Sequence, residues 1–270
     1  MRQRWQDTDR VTVAMEENGV AHVRLARAEK LNAIDGPMVD SLLAAGQALH
    51  DWPGLRAVVL AGEGRAFCAG LDLSTMTDGG FVAEAPLARR THGNANRFQQ
   101  VALQWRKLPC PVIAALHGAC LGGGLQIAAG ADIRIIAPDA QLCVMETKWG
   151  LVPDMGHFAL WRGLVRGDVL RELTYTHRLF SGEEAVQLGF ATHADQNPLA
   201  RAAALADEIA ALSPHAIRAA KLLAHRAEEP GFDAVLAAES IEQQHLLGSR
   251  NQREAVSSQR EGRPGKFIDP

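Results

Sequence analysis

The sequence predicts an α/β domain in which buried strands alternate with helices, and three observations predict it. RAVVLA (56–61) and PVIAAL (111–116) are unbroken apolar runs of strand length, the pattern of strands covered on both faces. Each leads through a glycine-punctuated loop into a helical stretch, and a third run, DIRIIA (132–137), follows the second helix. Ahead of them, VTVAME (11–16) and VAHVRLA (20–26) alternate apolar and polar residues around Glu17–Asn18–Gly19, as an antiparallel hairpin does.

The remaining elements follow in order. In NAIDGPMVDSLLAAGQALHDW (32–52), Asp35 is placed to cap a helix, Pro37 sits in its first turn, and Met38, Leu42, Leu43 and Leu49 form its apolar stripe. GEGRAFCAGLDL (62–73) is a loop leaving a buried strand, and a polar helix is expected at about 91–107. From about residue 156 the pattern turns helical. Ser181–Gly182–Glu183–Glu184 has the form of a capping box, Asn197 and Ser213 can cap the two helices after it, and an amphipathic segment runs from about 231 to 258. The expected division is a core over 1–196 and a helical C-terminal region over 197–270.

Composition narrows the functional classes. The chain has 270 residues, 47% of them hydrophobic and 22% charged, which is ordinary globular usage with enough length for one large core. A net charge of −3 gives no global field toward nucleic acid or an anionic membrane. Residues 110–131 carry no charge, yet Pro111, His117, Gln126 and five glycines make a poor membrane span, so a buried strand, loop and helix is expected there. Cys68, Cys110, Cys120 and Cys143 lie in apolar runs without CxxC spacing, which suits buried reduced thiols. MRQRWQDTDR lacks the apolar segment of a secretory signal, and the expected location is the cytoplasm.

GACLGGGLQIAAGAD (118–132) places Gly122, Gly123 and Gly124 at the mouth of a short apolar helix, at a cost of roughly 1 kcal/mol per glycine against alanine. A phosphate loop does not fit: Leu125 and Gln126 stand where the Walker form needs Lys and Ser or Thr, and Ile127 where the dinucleotide form needs glycine. GxSxG, HExxH and metal-spaced Cys or His pairs are missing, and no metal is expected. A carbonyl oxygen fits better, because bare N–H groups at a helix N-terminus face it with the positive end of the helix dipole behind them. A second donor is available from GRAFCAGLDL, and two such donors can stabilise an oxyanion.

RAFCAGLDL (65–73), ALHGACLGGGLQIAAGADIRI (115–135) and WGLVPDMG (149–156), in this order and spacing, resemble the crotonase family of enoyl-CoA hydratases and isomerases. RAEKLNAID (27–35) is similar to that family's CoA-contacting turn, and EGRPGKFID (261–269) to its C-terminal ending. The resemblance implies a crotonase spiral of ββα units with a helical C-terminal trimerisation region, assembled as a homotrimer or a hexamer of two trimers. It implies a coenzyme A thioester as substrate, with no separate cofactor. Its oxyanion hole would be the backbone N–H groups of Leu71 and Gly123. Ala69, Gly70, Asp72, Leu73, Gly122 and Gln126 would contact substrate, and Lys30 would meet the nucleotide phosphates. Asp72 pairing with its surroundings is an equally weighted reading.

Hydratases of this family carry two glutamates at the positions of Gln126 and Glu146, and here only the second is acidic. Asp154, eight residues after Glu146, stands where the family's dienoyl-CoA isomerases carry a catalytic aspartate, and ELTYTHRLFSGEEAVQLGF (172–190) resembles that branch. Glu146 and Asp154 are therefore the expected catalytic residues, Glu146 alone would also suffice for a one-base shift of a 3-ene to a 2-ene, and double-bond isomerisation by either route is favoured over hydration through a water held by Gln126. A non-catalytic binding protein is a third reading. His117 and His157 are expected to be packing or loop residues, and Cys68 a small buried filler.

Overall fold

The expected hairpin forms from β1 (Val11–Met15) and β2 (Val20–Leu25), antiparallel with Val11 opposite Leu25. In this computed structural model, residue 5 and residues 7–74, 86–228 and 240–270 are described. β2 continues into a parallel sheet with β3 (Ala57–Gly62), β4 (Val112–Leu116), β6 (Ile133–Ile136) and β9 (His193–Ala194), in the order β1-β2-β3-β4-β6-β9. Every residue of β3 and β4 is buried, because both faces are covered.

The two-residue period of the strands sorts their side chains between those faces. Val58, Leu60, Val112 and Ala114 enter the larger cluster with Met38, Leu42 and Leu49 of α1 (Gly36–His50) and Trp105 of α2 (Arg97–Lys107). Val59, Ala61, Ile113 and Ala115 meet Ala202, Ala206 and Ala210 of α7 (Pro198–Ala210) on the other side. α7 is the first element after residue 197, and its small-residue stripe at i, i+4, i+8 belongs to the core of the sheet.

A second sheet escaped the sequence pattern. β5 (Ala119–Leu121) pairs in parallel with β7 (Gln141–Cys143), which pairs antiparallel with β8 (Phe180–Ser181). Strands of two or three residues carry no readable period. β5 runs directly into α3 (Gly123–Ala129), so the uncharged stretch 110–131 is strand, strand and helix. No helix among the described residues is long and apolar enough to cross a membrane.

Four local expectations are corrected. α2 starts at Arg97 and not near 91, because Asn96 and Gln99 form a reciprocal capping box there. Ser181 caps α6 (Gly182–Leu188) through the Glu184 N–H, but the Glu184 carboxylate turns to Arg178 at 2.7 Å rather than back to Ser181. Ser213 makes no side-chain cap; Pro214 opens α8 (Pro214–Arg226) and removes one of the unpaired donors itself. The segment expected at 231–258 is broken: 231–239 lies outside the described residues, 240–246 is helical, and Ser249 caps a separate helix α9 (Arg250–Glu261). Asp35 and Asn197 cap α1 and α7 as expected.

Candidate active site

The loop after β3 is held from both sides by backbone hydrogen bonds. Cys68 N–H donates to Ala119 O at 2.9 Å and Leu121 N–H to Cys68 O at 3.0 Å, tying the loop to β5. On its other edge Ala69 N–H donates to Leu31 O at 2.9 Å, Ile34 N–H to Gly70 O at 2.8 Å and Asp72 N–H to Ile34 O at 2.9 Å. This alternation turns the Leu71 N–H away from the ladder. Among the described residues no acceptor engages the N–H of Leu71 or of Gly123, the first residue of α3.

The glycines bring those two donors together. Gly70 has φ +86°, and a Cβ on it would lie 2.8 Å from Leu121 O and 3.6 Å from Gly123 N. A Cβ on Gly124 would fall 2.4 Å from Cys68 O, so any side chain there would push the two loops apart.

The turn at 27–35 supports this wall with a buried amide and a chain of charges. Asn32 is buried; its Nδ2 donates to Glu63 O and Ala66 O at 2.9 and 2.8 Å, while its Oδ1 accepts from Arg27 N–H at 2.9 Å. Arg27 lies 2.7 Å from Asp72 and 3.4 Å from Asp35, and Arg10 lies 2.9 Å from Asp35. The Ser74 hydroxyl and Arg27 pull the Asp72 carboxyl down to about 2. Of the two readings of Asp72, the structure thus supports pairing with its surroundings. Lys30 stands exposed at the end of the short Ala28–Lys30 turn.

The facing wall carries the acid. Glu146 opens a short turn after β7, and its Oε1 accepts from Gln126 Nε2 at 2.6 Å. Gln126, buried on α3, accepts at its own Oε1 from the Met155 N–H at 2.8 Å. Glu146 Oε2 is buried with no hydrogen-bond partner among the described residues. Burial raises the Glu146 carboxyl above its usual range, partly offset by its own backbone N–H, the bond from Gln126 and the Met145 N–H, and the nearby charge of Asp154 raises it further.

A cavity of about 100 Å³ joins the two walls. Ala69, Gly70, Leu71, Gly122, Gly123 and Glu146 line its polar end, and Leu73, Met145, Trp149 and Leu151 its apolar side. Seven of the residues expected from sequence therefore share one cavity, and Gln126 stands behind it. Asp154 is exposed and outside that lining; it acts on Glu146 by charge, and its own carboxyl is raised by desolvation. The arrangement can hold a carbonyl oxygen at two N–H groups while a desolvated carboxylate reaches a C–H beside it.

Sequence reasoning did not single out Arg27, Asn32, Met145, Trp149 or Leu151. Arg27 and Asn32 lie within RAEKLNAID and Trp149 and Leu151 within WGLVPDMG, so the motifs held them without giving them a role; Asn32 adopts left-handed backbone, φ +56°, a region that asparagine tolerates. Cys68 is the expected filler: burial pushes its thiol up to about 12, and Sγ donates to Asn32 O at 3.1 Å. His117 lies 3.0 Å from Gly64 O. His157 is buried and desolvated to a pKa of about 4, with Nε2 3.4 Å from Thr174 Oγ1 and no partner for Nδ1 among the described residues.

Residues 15–270 match the protein family described as enoyl-CoA hydratase/isomerase. Over 222 residues the chain is 33% identical to the mitochondrial Delta(3,5)-Delta(2,4)-dienoyl-CoA isomerase of Rattus norvegicus, covering 78% of this chain and 67% of that protein. It is 31% identical to a probable enoyl-CoA hydratase of Mycobacterium bovis, over 93% of this chain and 97% of the relative. Among solved structures, a putative enoyl-CoA hydratase from Streptomyces coelicolor superposes with a TM-score of 0.87 at 28% identity, covering 98% of this chain and 96% of that one.

Proposed function

The chain belongs to the enoyl-CoA hydratase/isomerase family and has the crotonase fold, and from that premise we propose that it moves a carbon–carbon double bond within an enoyl- or dienoyl-CoA. The observation that carries this reading is the chemistry of the wall opposite the donors. Among the described residues Glu146 is the one carboxylate in the cavity lining, and the residue beside it, Gln126, has an amide that neither takes nor gives a proton at neutral pH.

In the proposed reaction the thioester oxygen of a 3-enoyl-CoA accepts hydrogen bonds from the N–H groups of Leu71 and Gly123. Glu146 removes a proton from C2, and the released electron pair moves into the thioester carbonyl to give a dienolate whose charge rests at those donors. The oxygen pair then returns to re-form the carbonyl, the double bond settles between C2 and C3, and C4 takes the proton back from Glu146. No water, electron or further reactant enters. The raised carboxyl of Glu146 suits the step, since a base nearer in strength to the carbon acid transfers its proton with a smaller mismatch. With a dienoyl substrate, Asp154, whose charge acts on Glu146, is the proposed second acid for the far end of the chain.

Lys30 is proposed to meet the CoA phosphates, no cofactor beyond the substrate's own CoA is invoked, and assembly as a trimer or hexamer is proposed for the helical region over 197–270. Exposed Leu212 and Leu222 on that region support the last point. Both polar ends of Gln126 are already engaged, which favours proton migration over a water held there.

Product analysis after incubation with 2-enoyl-, 3-enoyl- and 3,5-dienoyl-CoA tests the reading. Isomers without added water are expected, and Glu146→Gln should lower their rate by about 10³-fold while circular dichroism stays unchanged. A 3-hydroxyacyl-CoA as the main product, or full turnover by Glu146→Gln, would refute it.

A further inference from the structure

We infer that Gln126 is a positioning residue that confines the migrating proton to one atom, Oε2 of Glu146. The argument starts from a group that has no choice. The Met155 backbone N–H only donates, so the end of the Gln126 amide that meets it at 2.8 Å must be the oxygen. The amide is thereby oriented by the main chain, and its NH₂ must face Glu146 Oε1 at 2.6 Å. An NH₂ group only donates as well. While this bond holds, Oε1 cannot carry a proton toward Gln126, and it acts as an acceptor in both charge states of the glutamate.

The other oxygen is left for chemistry. Oε2 is buried and without a partner among the described residues. When Glu146 is neutral, its proton therefore sits on Oε2, and Oε1 is the carbonyl oxygen of the acid. Rotation of the carboxyl group would exchange the two oxygens, and the bond from Gln126 opposes it.

Gln126 can hold this geometry because it is itself fixed. It is 2% exposed, lies in the first turn of α3 with its backbone N–H bonded to Gly122 O at 3.1 Å, and binds Met155, the residue after Asp154. One amide thus ties together the donor helix, the glutamate turn and the segment bearing Asp154.

This inference deepens the isomerase reading and rests on it for its catalytic consequence, that one oxygen both takes the proton from C2 and returns it to C4. Its structural content is tested apart from turnover by infrared spectroscopy. The carboxylic C=O band of protonated Glu146, identified by its loss in Glu146→Gln, is expected at a frequency lowered by the bond from Gln126. In Gln126→Leu it should move to higher frequency. An unmoved band overturns the inference whatever reaction the protein catalyses.

The catalytic arm uses a 3-enoyl-CoA deuterated at C2. Gln126→Leu should lower kcat by about 10²-fold with little change in KM, and less deuterium should be carried from C2 to C4, because a carboxyl free to rotate can turn its deuteron to solvent and exchange it for a proton before C4 is reached. Gln126→Glu keeps the acceptor for Met155 and can imitate the donor only while protonated. It should therefore retain turnover at low pH and lose it as pH rises, adding an alkaline limb absent from the parent enzyme. Parental kcat, deuterium transfer and pH profile in both variants would overturn the assignment. Water addition by the parent enzyme would instead refute the isomerase reading and leave the infrared result to decide the role of Gln126.

Discussion

The two walls of the site treat a carboxylate in opposite ways. On the wall built from 27–35 and 66–72, Asp72 meets Arg27 and Ser74 and is held down at about 2, a permanent anion whose charge is answered by its neighbours. On the wall built from α3, 146 and 155–157, Glu146 meets neutral donors and, among the described residues, no cation; its Oε2 is buried without a hydrogen-bond partner among them, and its carboxyl is raised. His157, on the same side, is desolvated to about 4 with one ring nitrogen unpartnered among the described residues. Pairing makes a carboxylate structural, while burial without pairing leaves it able to exchange a proton. The first wall fixes the proposed oxyanion donor at Leu71, and rigidity serves it. In the proposed reaction the second wall changes charge during turnover, and a full set of ion pairs would prevent that.

The largest effect is expected at the junction of the walls. Gly124→Ala would place a methyl group 2.4 Å from Cys68 O, so the loop bearing Leu71 must retreat from Gly123. Loss of one oxyanion donor corresponds to about 10²-fold in kcat or more, and the thermal midpoint should drop by several degrees, as steady-state kinetics and a melting curve would show. An alanine variant with parental turnover would mean that the separation of the walls does not set the rate.

A smaller effect marks the unpaired wall. His157 has a folded pKa of about 4 against an ordinary 6.5, so the unfolded chain takes up a proton between those values and the folded chain does not. Stability present above pH 6.5 should therefore decline as pH falls toward 4, by at most about 3 kcal/mol from this group. Urea unfolding at a series of pH values should show that slope, and His157→Phe should flatten it; an identical slope in the variant would remove His157 from the account.

The smallest effect belongs to the paired wall. Arg27→Met takes the guanidinium from Asp72 and Asp35 and should cost about 2 kcal/mol at neutral pH. The sign of the pH dependence is the same as for His157, but its origin is pairing and not desolvation. The Asp72 carboxyl is depressed from 3.8 to about 2, so its contribution is present above pH 3.8 and is lost as pH falls through 2. In Arg27→Met the acid loss of stability should weaken, because one of the two side chains that lower the carboxyl is gone while Ser74 stays. A variant as stable as the parent at pH 7 would show that the network is ornamental to the wall.

Much of this was legible in the chain. The apolar runs marked β3, β4 and β6, the alternating hairpin marked β1 and β2, and the glycines with Glu146 marked the cavity, because each signal is local or repeats at a fixed spacing. The second sheet was not legible: β5, β7 and β8 are two or three residues long and exist only because each finds the others. Asp72 and Asp154 illustrate the same limit at the site. Both are acidic residues in expected motifs, yet one is answered by an arginine 45 positions earlier and the other is exposed beyond the cavity lining.

By itself the sequence determined the order of elements, the bare backbone at 122–124, the glutamate at 146 and the absence of a second acid at 126. Those are properties of residue type and period. The tertiary structure alone decided that the Gln126 amide would be oriented by the Met155 N–H, that Glu146 would keep one oxygen without a partner among the described residues, and that Asp72 would be paired with Arg27. The physical reason is that protonation and orientation depend on what lies within about 3 Å of an atom, and folding brings those neighbours from distant parts of the chain.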